Sequence, residues 1–345
     1  MTKIAIIGSE KSGKTTLAGK LGKKGNVSDI TMYDYAKNDM ILTTIDATGY
    51  PASVKSLVTA LNLSDIALLC IPPEGLDPQA AECIIALDVM GYKHGIVVLT
   101  KSDTSYPFAL DELKAKLQKV TAGTVLENWD YHAISTTSFE GMEELKELIN
   151  TVGEKVEEEL KELDDLPART IIDQSFNVTG IGCVVLGVVS QGTINAKDKV
   201  VAYPAKKELE IRSIQMHDVD AKSAPAGARV GLALKGVQSK DIDRGFVLSE
   251  TETVATDFTL KCVLSPLAKP FNVDDMLHLY VGLQSSPVRV VEILEGEEKV
   301  ETAASGKEYV LKLTGSKEIA YSKNDRFILV NLDEKQRFIA HGYEQ

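Results

Sequence analysis

The amino-acid sequence predicts an α/β domain with a parallel sheet, followed by two all-β barrel domains. Three features indicate this fold class. Apolar strands alternate with amphipathic helices over residues 1–160, a pattern typical of a parallel sheet that is covered on both faces. An acidic linker that ends in a proline follows at residues 162–167. From there Val/Ile/Thr-rich segments with glycine turns continue to the C-terminus without a convincing long helix, which indicates all-β structure.

The three domains can be placed on the sequence. They are predicted at residues 1–160 for the α/β domain, 167–253 for the first barrel and 255–345 for the second barrel. The predicted strands of the first domain are residues 3–7, 41–46, 65–71, 95–100 and 131–135, and its predicted helices are residues 14–22, 51–62, 78–90, 107–119 and 139–160. Nucleotide chemistry in such folds gathers at the carboxyl ends of the strands, so a site is expected in the segments that follow them.

Composition excludes several classes of protein. Of the 345 residues, 44% are hydrophobic and 26% are charged, which is ordinary for a globular protein of two or three domains. No apolar run approaches the roughly 20 residues that span a bilayer, so no membrane partner is expected. The net charge of -12 argues against non-specific coating of nucleic acid, and we expect no DNA partner, although a local basic patch stays open. The four cysteines form no Cys-x-x-Cys or Cys/His cluster, which indicates a reduced, cytoplasmic protein.

Residues 8–15 read Gly-Ser-Glu-Lys-Ser-Gly-Lys-Thr, a complete phosphate-binding loop between a predicted strand and a predicted helix. Its glycines let backbone N–H groups turn toward phosphate oxygens, and the helix N-terminus adds partial positive charge. The Lys14 ammonium is expected at the β- and γ-phosphates, and the Thr15 hydroxyl on Mg²⁺. The alternative is a glycine-rich turn that matches by chance. The predicted nucleotide-binding residues of this segment are Gly8, Ser9, Glu10, Lys11, Ser12, Gly13, Lys14, Thr15 and Thr16.

Two further strand ends carry residues suited to a nucleotide. Asp46 ends the second predicted strand and is expected to hold Mg²⁺ through water, while the N–H of Gly49 is expected at the γ-phosphate. The string Thr100-Lys101-Ser102-Asp103 follows the fourth predicted strand. The Asp103 carboxylate can accept two hydrogen bonds from a guanine edge, with the Lys101 stem along the ring and Thr100 supporting the loop. Each motif alone is also found in ordinary solvated turns.

Near the end of the fifth predicted strand, Ser135 and Thr136 are expected to supply a backbone donor to the guanine oxygen. Taken together, the order, spacing and strand-end placement of these motifs resemble the GTP-binding domain of the translational GTPases. Thr31 looks like the switch-one threonine of that family, which closes on Mg²⁺ in the triphosphate state. The alternative for Thr31 is a surface threonine in a polar loop.

The resemblance continues through both barrels. Residues 172–194, 211–217, 226–232 and 241–245 resemble the second-domain barrel of translational GTPases. The third domain, with residues 269–271 and 277–284, looks most like the selenocysteine-specific elongation factor (SelB type). The implied architecture is therefore that of elongation factor Tu: a P-loop GTPase domain followed by two β-barrels. Archaeal and eukaryotic SelB members carry a fourth domain, so we expect an archaeal SelB-like paralogue without it.

The resemblance also implies ligands and partners. It implies GTP or GDP with Mg²⁺ as cofactors, aminoacyl-tRNA and the ribosome as partners, and a monomeric protein. A selenolate needs positive side chains nearby. Gln174 stands where basic residues are expected after Asp173, which weakens the case for selenocysteine. His217, Arg229 and Arg244 are candidates for an anionic ligand or an RNA phosphate, and the alternative for each is a structural role.

Two positions depart from the family pattern and become the candidate catalytic residues. The family motif is Asp-x-x-Gly-His, and its histidine positions the attacking water, whereas Tyr50 stands there in this sequence. A phenol with a pKa of about 10 cannot act as a base at neutral pH, and the alternative for Tyr50 is a packed hydrophobic gate. Lys11 replaces an acidic residue of the loop, where its cation could stabilise leaving-group charge in cis or simply face solvent. The segment between Lys14 and Asp46, which carries switch one, is also short for the family's elongation factors.

Two functions follow from this pattern. The first is a translation elongation factor-like protein that binds GTP and hydrolyses it slowly. The second is a catalytically degenerate paralogue that acts as a non-catalytic regulator and binds a protein or RNA partner. A metabolic or nucleic-acid-modifying ATPase is disfavoured by Asp103 and by the two β domains.

Overall fold

The computed structural model describes residues 2–37 and 40–345, apart from the side chains at positions 26, 37 and 40. The chain divides into two compact units. The first contains Met1–Val156 together with Gln336–Phe338, and the second contains Glu157–Lys335 together with Ile339–Gln345.

The first unit is an α/β domain built on one sheet. Its strands are β1 (Thr2–Gly8), β2 (Lys23–Val27), β3 (Thr31–Lys37), β4 (Met40–Asp46), β5 (Ile66–Ile71), β6 (Gly95–Leu99) and β7 (Asp130–Ala133). Its helices are α1 (Lys14–Leu21), α2 (Val54–Asn62), α3 (Pro78–Met90), α4 (Pro107–Thr121) and α5 (Met142–Lys161), the last of which continues into the second unit. Of the helices described, none combines the length and the apolar character that crossing a bilayer requires.

The order of strands in this sheet is β2-β3-β4-β1-β5-β6-β7. Strands β4, β1, β5, β6 and β7 run parallel, and every residue of β1, β5 and β6 is buried, as expected for a sheet covered on both faces. The helix α3 begins where the sequence signals it, because the Asp77 side chain accepts a 2.8 Å hydrogen bond from the Ala80 N–H. The predicted fold class of this domain is confirmed.

The hairpin formed by β2 and β3 was not predicted. The two strands pair antiparallel with each other, and β3 pairs antiparallel with β4, so the hairpin extends one edge of the parallel sheet. An edge strand leaves one row of backbone groups unpaired and often carries charged side chains, as the exposed Lys23 and Lys24 do here. Such a segment has no apolar periodicity, and the sequence therefore resembles a loop.

The second unit contains two antiparallel barrels. The strands of the first barrel region are β8 (Arg169–Val178), β9 (Gly182–Gln191), β10 (Ile194–Asn195), β11 (Lys199–Tyr203), β12 (Lys207–Met216), β13 (Val219–Ala221), β14 (Ser223–Ala224), β15 (Arg229–Lys235) and β16 (Val247–Ser249). Those of the second are β17 (Thr253–Leu264), β18 (Phe271–Asn272), β19 (Met276–Val281), β20 (Gln284–Glu295), β21 (Glu298–Val300), β22 (Thr302–Ala303), β23 (Glu308–Tyr321), β24 (Phe327–Val330) and β25 (Phe338–Glu344).

In each barrel, six of the described strands close into a ring. Pairing of β11 with β12 closes the ring β11-β16-β8-β9-β15-β12, and pairing of β19 with β20 closes the ring β19-β24-β25-β17-β23-β20. Each ring encloses its own apolar core, centred on residues such as Ile211 and Leu232 in the first and Leu260 and Leu311 in the second. The predicted all-β structure after the linker is confirmed.

A buried arginine ties the two barrels together within the second unit. Arg169 of β8 is 8% exposed, and its guanidinium lies 2.7 Å from Glu252 and 2.6 Å from Asp325. Burial alone would lower the pKa of Arg169, but the two carboxylates outweigh that effect and raise it. The arginine is therefore held as a cation between residues of both barrel regions.

Candidate nucleotide-binding site

The phosphate-binding loop leaves the end of β1 and enters α1, as predicted. Gly8 has a φ of +148°, and a Cβ at this position would lie 2.5 Å from the carbonyl oxygen of Cys70. Gly13, with a φ of +87°, immediately precedes α1. Both positions therefore require glycine. The loop folds around Lys14, which is 8% exposed and donates from Nζ to the carbonyl oxygen of Ser9 over 3.1 Å.

Several polar groups of this loop face its interior. Ser9 and Ser12 are buried, and their hydroxyl oxygens have no hydrogen-bond partner among the residues that the structure describes. Buried polar groups are normally hydrogen-bonded, so such atoms mark a place built to contact something else. Glu10, Lys11 and Thr16 are exposed, and Lys11 has a left-handed φ of 65°. The loop thus fits a phosphate ligand, with the Lys11 side chain on its outer surface.

The predicted magnesium ligands lie close together. The Thr15 hydroxyl donates to Oδ2 of Asp46 over 2.6 Å, and Thr31 is the strand partner of Asp46 across β3 and β4. Thr31 is 1% exposed, and its hydroxyl lies 3.2 Å from that of Thr48. The structure therefore corrects the alternative reading of Thr31 as a surface residue of a polar loop: it is a buried strand residue.

The donor set around Asp46 fits Mg²⁺. Asp46 is fully buried, and its Oδ1 atom has no hydrogen-bond partner among the described residues. Burial raises the pKa of this carboxyl group, while the Thr15 hydroxyl and the charges of Lys14 and Lys24 oppose the rise. Mg²⁺ is held by oxygen ligands and commonly uses one or two carboxylates together with substrate phosphates. Across the described parts of the chain there is no cluster of three His, Cys, Asp or Glu side chains that would suit a closed protein-only metal site.

The N–H of Gly49, which was predicted at the γ-phosphate, has a protein partner in this conformation. It donates to the carbonyl oxygen of Asp29 over 2.8 Å, and the Thr48 hydroxyl donates to the same oxygen over 3.4 Å. A γ-phosphate contact would require the Gly49 bond to exchange. That contact remains a prediction.

The residues predicted to contact guanine lie at the ends of β6 and β7. Thr100 is buried and its hydroxyl donates to the carbonyl oxygen of Ser12 over 2.6 Å, so Thr100 supports the phosphate-binding loop. Lys101, with a left-handed φ of 54°, precedes a short 3-10 turn at Ser102–Thr104. The Asp103 carboxylate in that turn is exposed, and no side chain in the described part of the chain bonds it. It is therefore available to a ligand.

The third predicted guanine contact is a backbone N–H near Ser135 and Thr136 that donates to the guanine oxygen. The Ser135 hydroxyl is fully buried and accepts from the N–H groups of Thr137 and Ser138, over 3.1 Å and 3.0 Å. The Ser135 N–H donates to Glu140. Within residues 135–137, the N–H of Thr136 is the donor without a partner in the described structure. Ser135 thus shapes the loop, and Thr136 is the better candidate for the contact to the guanine oxygen.

Tyr50 does not have the surroundings of a catalytic residue. It is 3% exposed, and its hydroxyl oxygen lies 2.8 Å from the carbonyl oxygen of Gln79 and 2.9 Å from Oε2 of Glu82. Burial, followed by the neighbouring Cys83 and Glu82, raises the pKa of the phenol far above its usual range. The hydroxyl is therefore protonated at neutral pH and lies within hydrogen-bonding distance of two acceptors. The contacts therefore favour the packing alternative over the predicted catalytic role.

Sequence reasoning missed the two residues that hold Tyr50. Glu82 of α3 is 4% exposed. Arg337 forms a bidentate ion pair with it, with Nε 2.9 Å from Oε1 and Nη2 2.5 Å from Oε2. Arg337 also donates to the carbonyl oxygen of Pro51 over 2.9 Å, and its guanidinium lies 5.7 Å from the centre of the Tyr50 ring. All of these residues belong to the first unit. The available signal was a glutamate within the apolar run of α3.

In the first barrel, the predicted anion ligands have ordinary structural settings. Nε of Arg244 donates to Oδ1 of Asp173 over 2.9 Å, Nη2 forms an ion pair with the same oxygen at 2.7 Å, and Asp173 is 4% exposed. His217 is exposed in the turn after β12 with a φ of 52°, and Arg229 is half-buried at the start of β15. The pairing of Arg244 neutralises its charge and favours the structural alternative for that residue.

Comparison with known proteins gives consistent similarities. The sequence profile of the elongation factor Tu GTP-binding domain matches residues 22–158, and that of elongation factor Tu domain 2 matches residues 182–249. The first match begins beyond the phosphate-binding loop, so the assignment of that loop rests on its own sequence and geometry.

Individual relatives extend the similarity over nearly the whole chain. An uncharacterized protein of Methanocaldococcus jannaschii is 32% identical over 330 residues, which cover 94% of this chain and 94% of the relative. The selenocysteine-specific elongation factor of the same organism is 25% identical over 359 residues, 96% of this chain and 76% of the relative. The structure of elongation factor SelB from Methanococcus maripaludis, in complex with the GTP analogue GPPNHP, matches with a TM-score of 0.83 at 25% identity, covering 100% of this chain and 78% of that chain.

Proposed function

Because the chain belongs to the elongation factor Tu and SelB family of translation elongation factor-like GTPases, we propose that it binds GTP and GDP with Mg²⁺ and hydrolyses GTP slowly. The observation that carries the proposal is the placement of the loop at residues 8–15, the buried Asp46 and the exposed, unbonded Asp103 carboxylate at the carboxyl ends of the parallel strands β1, β4 and β6. The first two supply phosphate and metal contacts, and the third supplies a guanine acceptor.

The metal-binding part of the proposal uses oxygen atoms only. Thr15, Asp46 and Thr31 would hold Mg²⁺, which neutralises phosphate charge when it is bound. The unpartnered, buried Oδ1 of Asp46 supports this assignment, since such an atom is costly without a ligand or water. The side chain of Lys14 adds a second positive charge, and the Thr100 hydroxyl fixes the loop that presents it.

Slow hydrolysis follows from the position of Tyr50. A residue that orients the attacking water contributes about 100-fold or more to the rate, and the tyrosine hydroxyl is already bonded to Gln79 and Glu82. The exposed Lys11 remains the proposed cis cation near the leaving group. We therefore expect an enzyme that binds guanine nucleotide and hydrolyses GTP slowly.

Calorimetric titration tests the nucleotide specificity. Titration with GTP, GDP and ATP in the presence of Mg²⁺ is expected to show binding of both guanine nucleotides and a much weaker response to ATP. Lys14→Ala should abolish the signal, and Lys20→Ala, which removes a lysine from the same helix α1, serves as the matched control. Absence of guanine-nucleotide binding below millimolar concentration would overturn the proposal.

The proposed partners are aminoacyl-tRNA and the ribosome, for a monomeric protein of the cytoplasm. The names of the relatives support this, and the Asp173–Arg244 pair beside Gln174 argues against selenocysteine as the amino acid carried. Filter binding of aminoacyl-tRNA at about 50 mM and about 200 mM salt separates specific binding from phosphate contacts alone, which are lost over this range. No binding at either concentration would contradict the tRNA part of the proposal.

One observation favours the second candidate function, a non-catalytic regulator. The Tyr50 hydroxyl and the Gly49 N–H both have protein partners. These two residues stand at the Gly-His positions of the family's Asp-x-x-Gly-His motif. A regulator of this kind would bind GTP without cleaving it in a single-turnover assay, with or without aminoacyl-tRNA and ribosomes. Measurable GTP cleavage that depends on Lys14 would exclude it.

A further inference from the structure

Gln79, at the start of α3, contacts the phosphate-binding loop through its side chain and Tyr50 through its backbone. Its Oε1 atom accepts a 2.7 Å hydrogen bond from the N–H of Glu10. Its carbonyl oxygen lies 2.8 Å from the Tyr50 hydroxyl. Gln79 therefore connects the phosphate-binding loop, through Glu10, with Tyr50 in the segment that follows Asp46.

The chain of bonds continues from Tyr50 to Arg337. The Tyr50 hydroxyl lies 2.9 Å from Oε2 of Glu82, and both carboxylate oxygens of Glu82 accept from the Arg337 guanidinium. The backbone N–H of Arg337 adds a third bond to Glu82 at 3.0 Å. The side chains of Arg337 and Glu82 are 16% and 4% exposed, so this pair is shielded from solvent. Partly buried, bidentate arginine–carboxylate pairs are among the stronger polar contacts in proteins.

The Glu10 N–H has a dual role in this arrangement. Successive backbone N–H groups are what a phosphate-binding loop presents to phosphate oxygens. While the Glu10 N–H donates to Gln79, it is not available to a nucleotide. A ligand that takes this donor must displace the Gln79 side chain, and the backbone carbonyl of the same residue accepts the Tyr50 hydroxyl.

We propose that Arg337 and Glu82 are positioning residues of the nucleotide site, acting through Tyr50 and Gln79 on the backbone donor of Glu10. The inference rests on the proposed GTP binding. In this arrangement the Arg337–Glu82 ion pair favours the conformation in which the Glu10 N–H donates to the Gln79 side chain. The triphosphate, which has the additional terminal phosphate, competes for that donor more than the diphosphate does. Breaking the ion pair therefore raises the affinity for GTP relative to that for GDP.

Linkage makes the effect measurable. If the Glu82–Arg337 pair and the nucleotide site are coupled, a change at the pair changes the affinity for nucleotide. Couplings between sites in proteins are typically about fivefold or more in affinity. We expect Arg337→Gln and Glu82→Gln each to raise the ratio of the GDP to the GTP dissociation constant by about fivefold or more. Arg337→Lys, which retains the charge, should restore part of the wild-type ratio.

Three further variants separate positioning from general stability. Tyr50→Phe removes only the hydroxyl and keeps the Glu82–Arg337 pair, so it tests the relay even if Arg337→Gln folds poorly. Gln79→Ala should shift the ratio on its own, and adding Arg337→Gln to it should have no further effect because the relay is already cut. Arg326→Gln is the matched control, since that guanidinium also lies 5.7 Å from a tyrosine ring, Tyr343, but is not part of the relay.

The outcomes are distinct. A raised ratio in Arg337→Gln, Glu82→Gln and Tyr50→Phe, together with non-additivity in the Gln79 double variant, supports the inference. A ratio that stays near the wild-type value or falls in folded variants overturns it, as does an equal rise in Arg326→Gln. If the wild-type protein binds GTP but the ratio does not move, only the relay is lost. If the wild-type protein binds no guanine nucleotide, the proposed function and the relay are both lost.

Discussion

Replacement of Asp103 by asparagine tests the guanine site most directly. The carboxylate can accept hydrogen bonds from the ring N–H and the amino group of guanine, and hydrogen bonds to a charged group contribute about 1.5–3 kcal/mol each. Because Asp103 is exposed, the lower figure applies to each bond. Asparagine removes the charge from both bonds and places an N–H donor opposite one of the two guanine donors, so the loss is about 3 kcal/mol. Each 1.4 kcal/mol is a factor of ten, so GDP affinity should fall by about 100-fold.

The structure indicates that this substitution leaves the fold intact. No side chain in the described residues bonds the Asp103 carboxylate, and the 3-10 turn around it is held by backbone bonds and the Thr104 hydroxyl. The amide of asparagine can donate one hydrogen bond and accept one. Xanthine carries a carbonyl oxygen where guanine carries its amino group, so xanthosine diphosphate should bind the variant better than the wild type.

Calorimetric titration of wild type and Asp103→Asn with GDP and with xanthosine diphosphate provides the assay. Asp111→Asn, which makes the same change at an exposed position of α4, is the matched control and should bind GDP as the wild type does. A GDP affinity in Asp103→Asn within about threefold of the wild-type value would refute the assignment, because the loss of one charged hydrogen bond alone exceeds that factor.

Three other substitutions have defined outcomes. Lys14→Ala should abolish the rise in thermal unfolding temperature that we expect from GTP and Mg²⁺, since the lysine is the proposed side-chain contact to the phosphates, and a retained rise would contradict its role. Arg169→Met should lower the free energy of unfolding in urea by about 3–5 kcal/mol, because it leaves two carboxylates without their cation, whereas Lys261→Met at an exposed ion pair should change it by less than about 1 kcal/mol. Tyr50→His should leave the single-turnover rate of GTP cleavage within about threefold of wild type, because the ring enters the closed surroundings of Glu82, and an increase of about tenfold or more would show that the position reaches the phosphates.

The fold class and the family could be predicted from the sequence. Buried parallel strands such as β1, β5 and β6 are continuous apolar runs, and each is followed by a helix with its own start signals, so local pattern was sufficient. The similarities to elongation factor Tu domains and to SelB confirm the resemblance that the motifs indicated. The hairpin of β2 and β3 was missed because the exposed residues 23–25 of β2 carry no apolar pattern, and β3 is stabilised by its pairing with β4.

The candidate site divides in the same way. The phosphate-binding loop, Asp46 and Asp103 each depend on a short stretch of chain with a fixed residue pattern, and the sequence was sufficient to find them. The choice of Thr136 over Ser135 depended on which N–H groups the loop already uses. The burial of Thr31 depended on the β3–β4 register, which places it opposite Asp46.

The sequence by itself was sufficient to find the phosphate-binding loop, the carboxylate proposed to select guanine and the tyrosine in place of the family's histidine, because each depends on a few consecutive residues. Only the tertiary structure decided what Tyr50 does. Its partners Glu82 and Arg337 are 32 and 287 positions away along the chain, and the two partners, which form an ion pair with each other, are 255 positions apart. Contacts of that range are fixed by packing and charge pairing in the folded protein and leave no periodic or motif signal in the chain. The residue pattern of the loop predicts nucleotide binding, and the fold determines which side chains contact Tyr50.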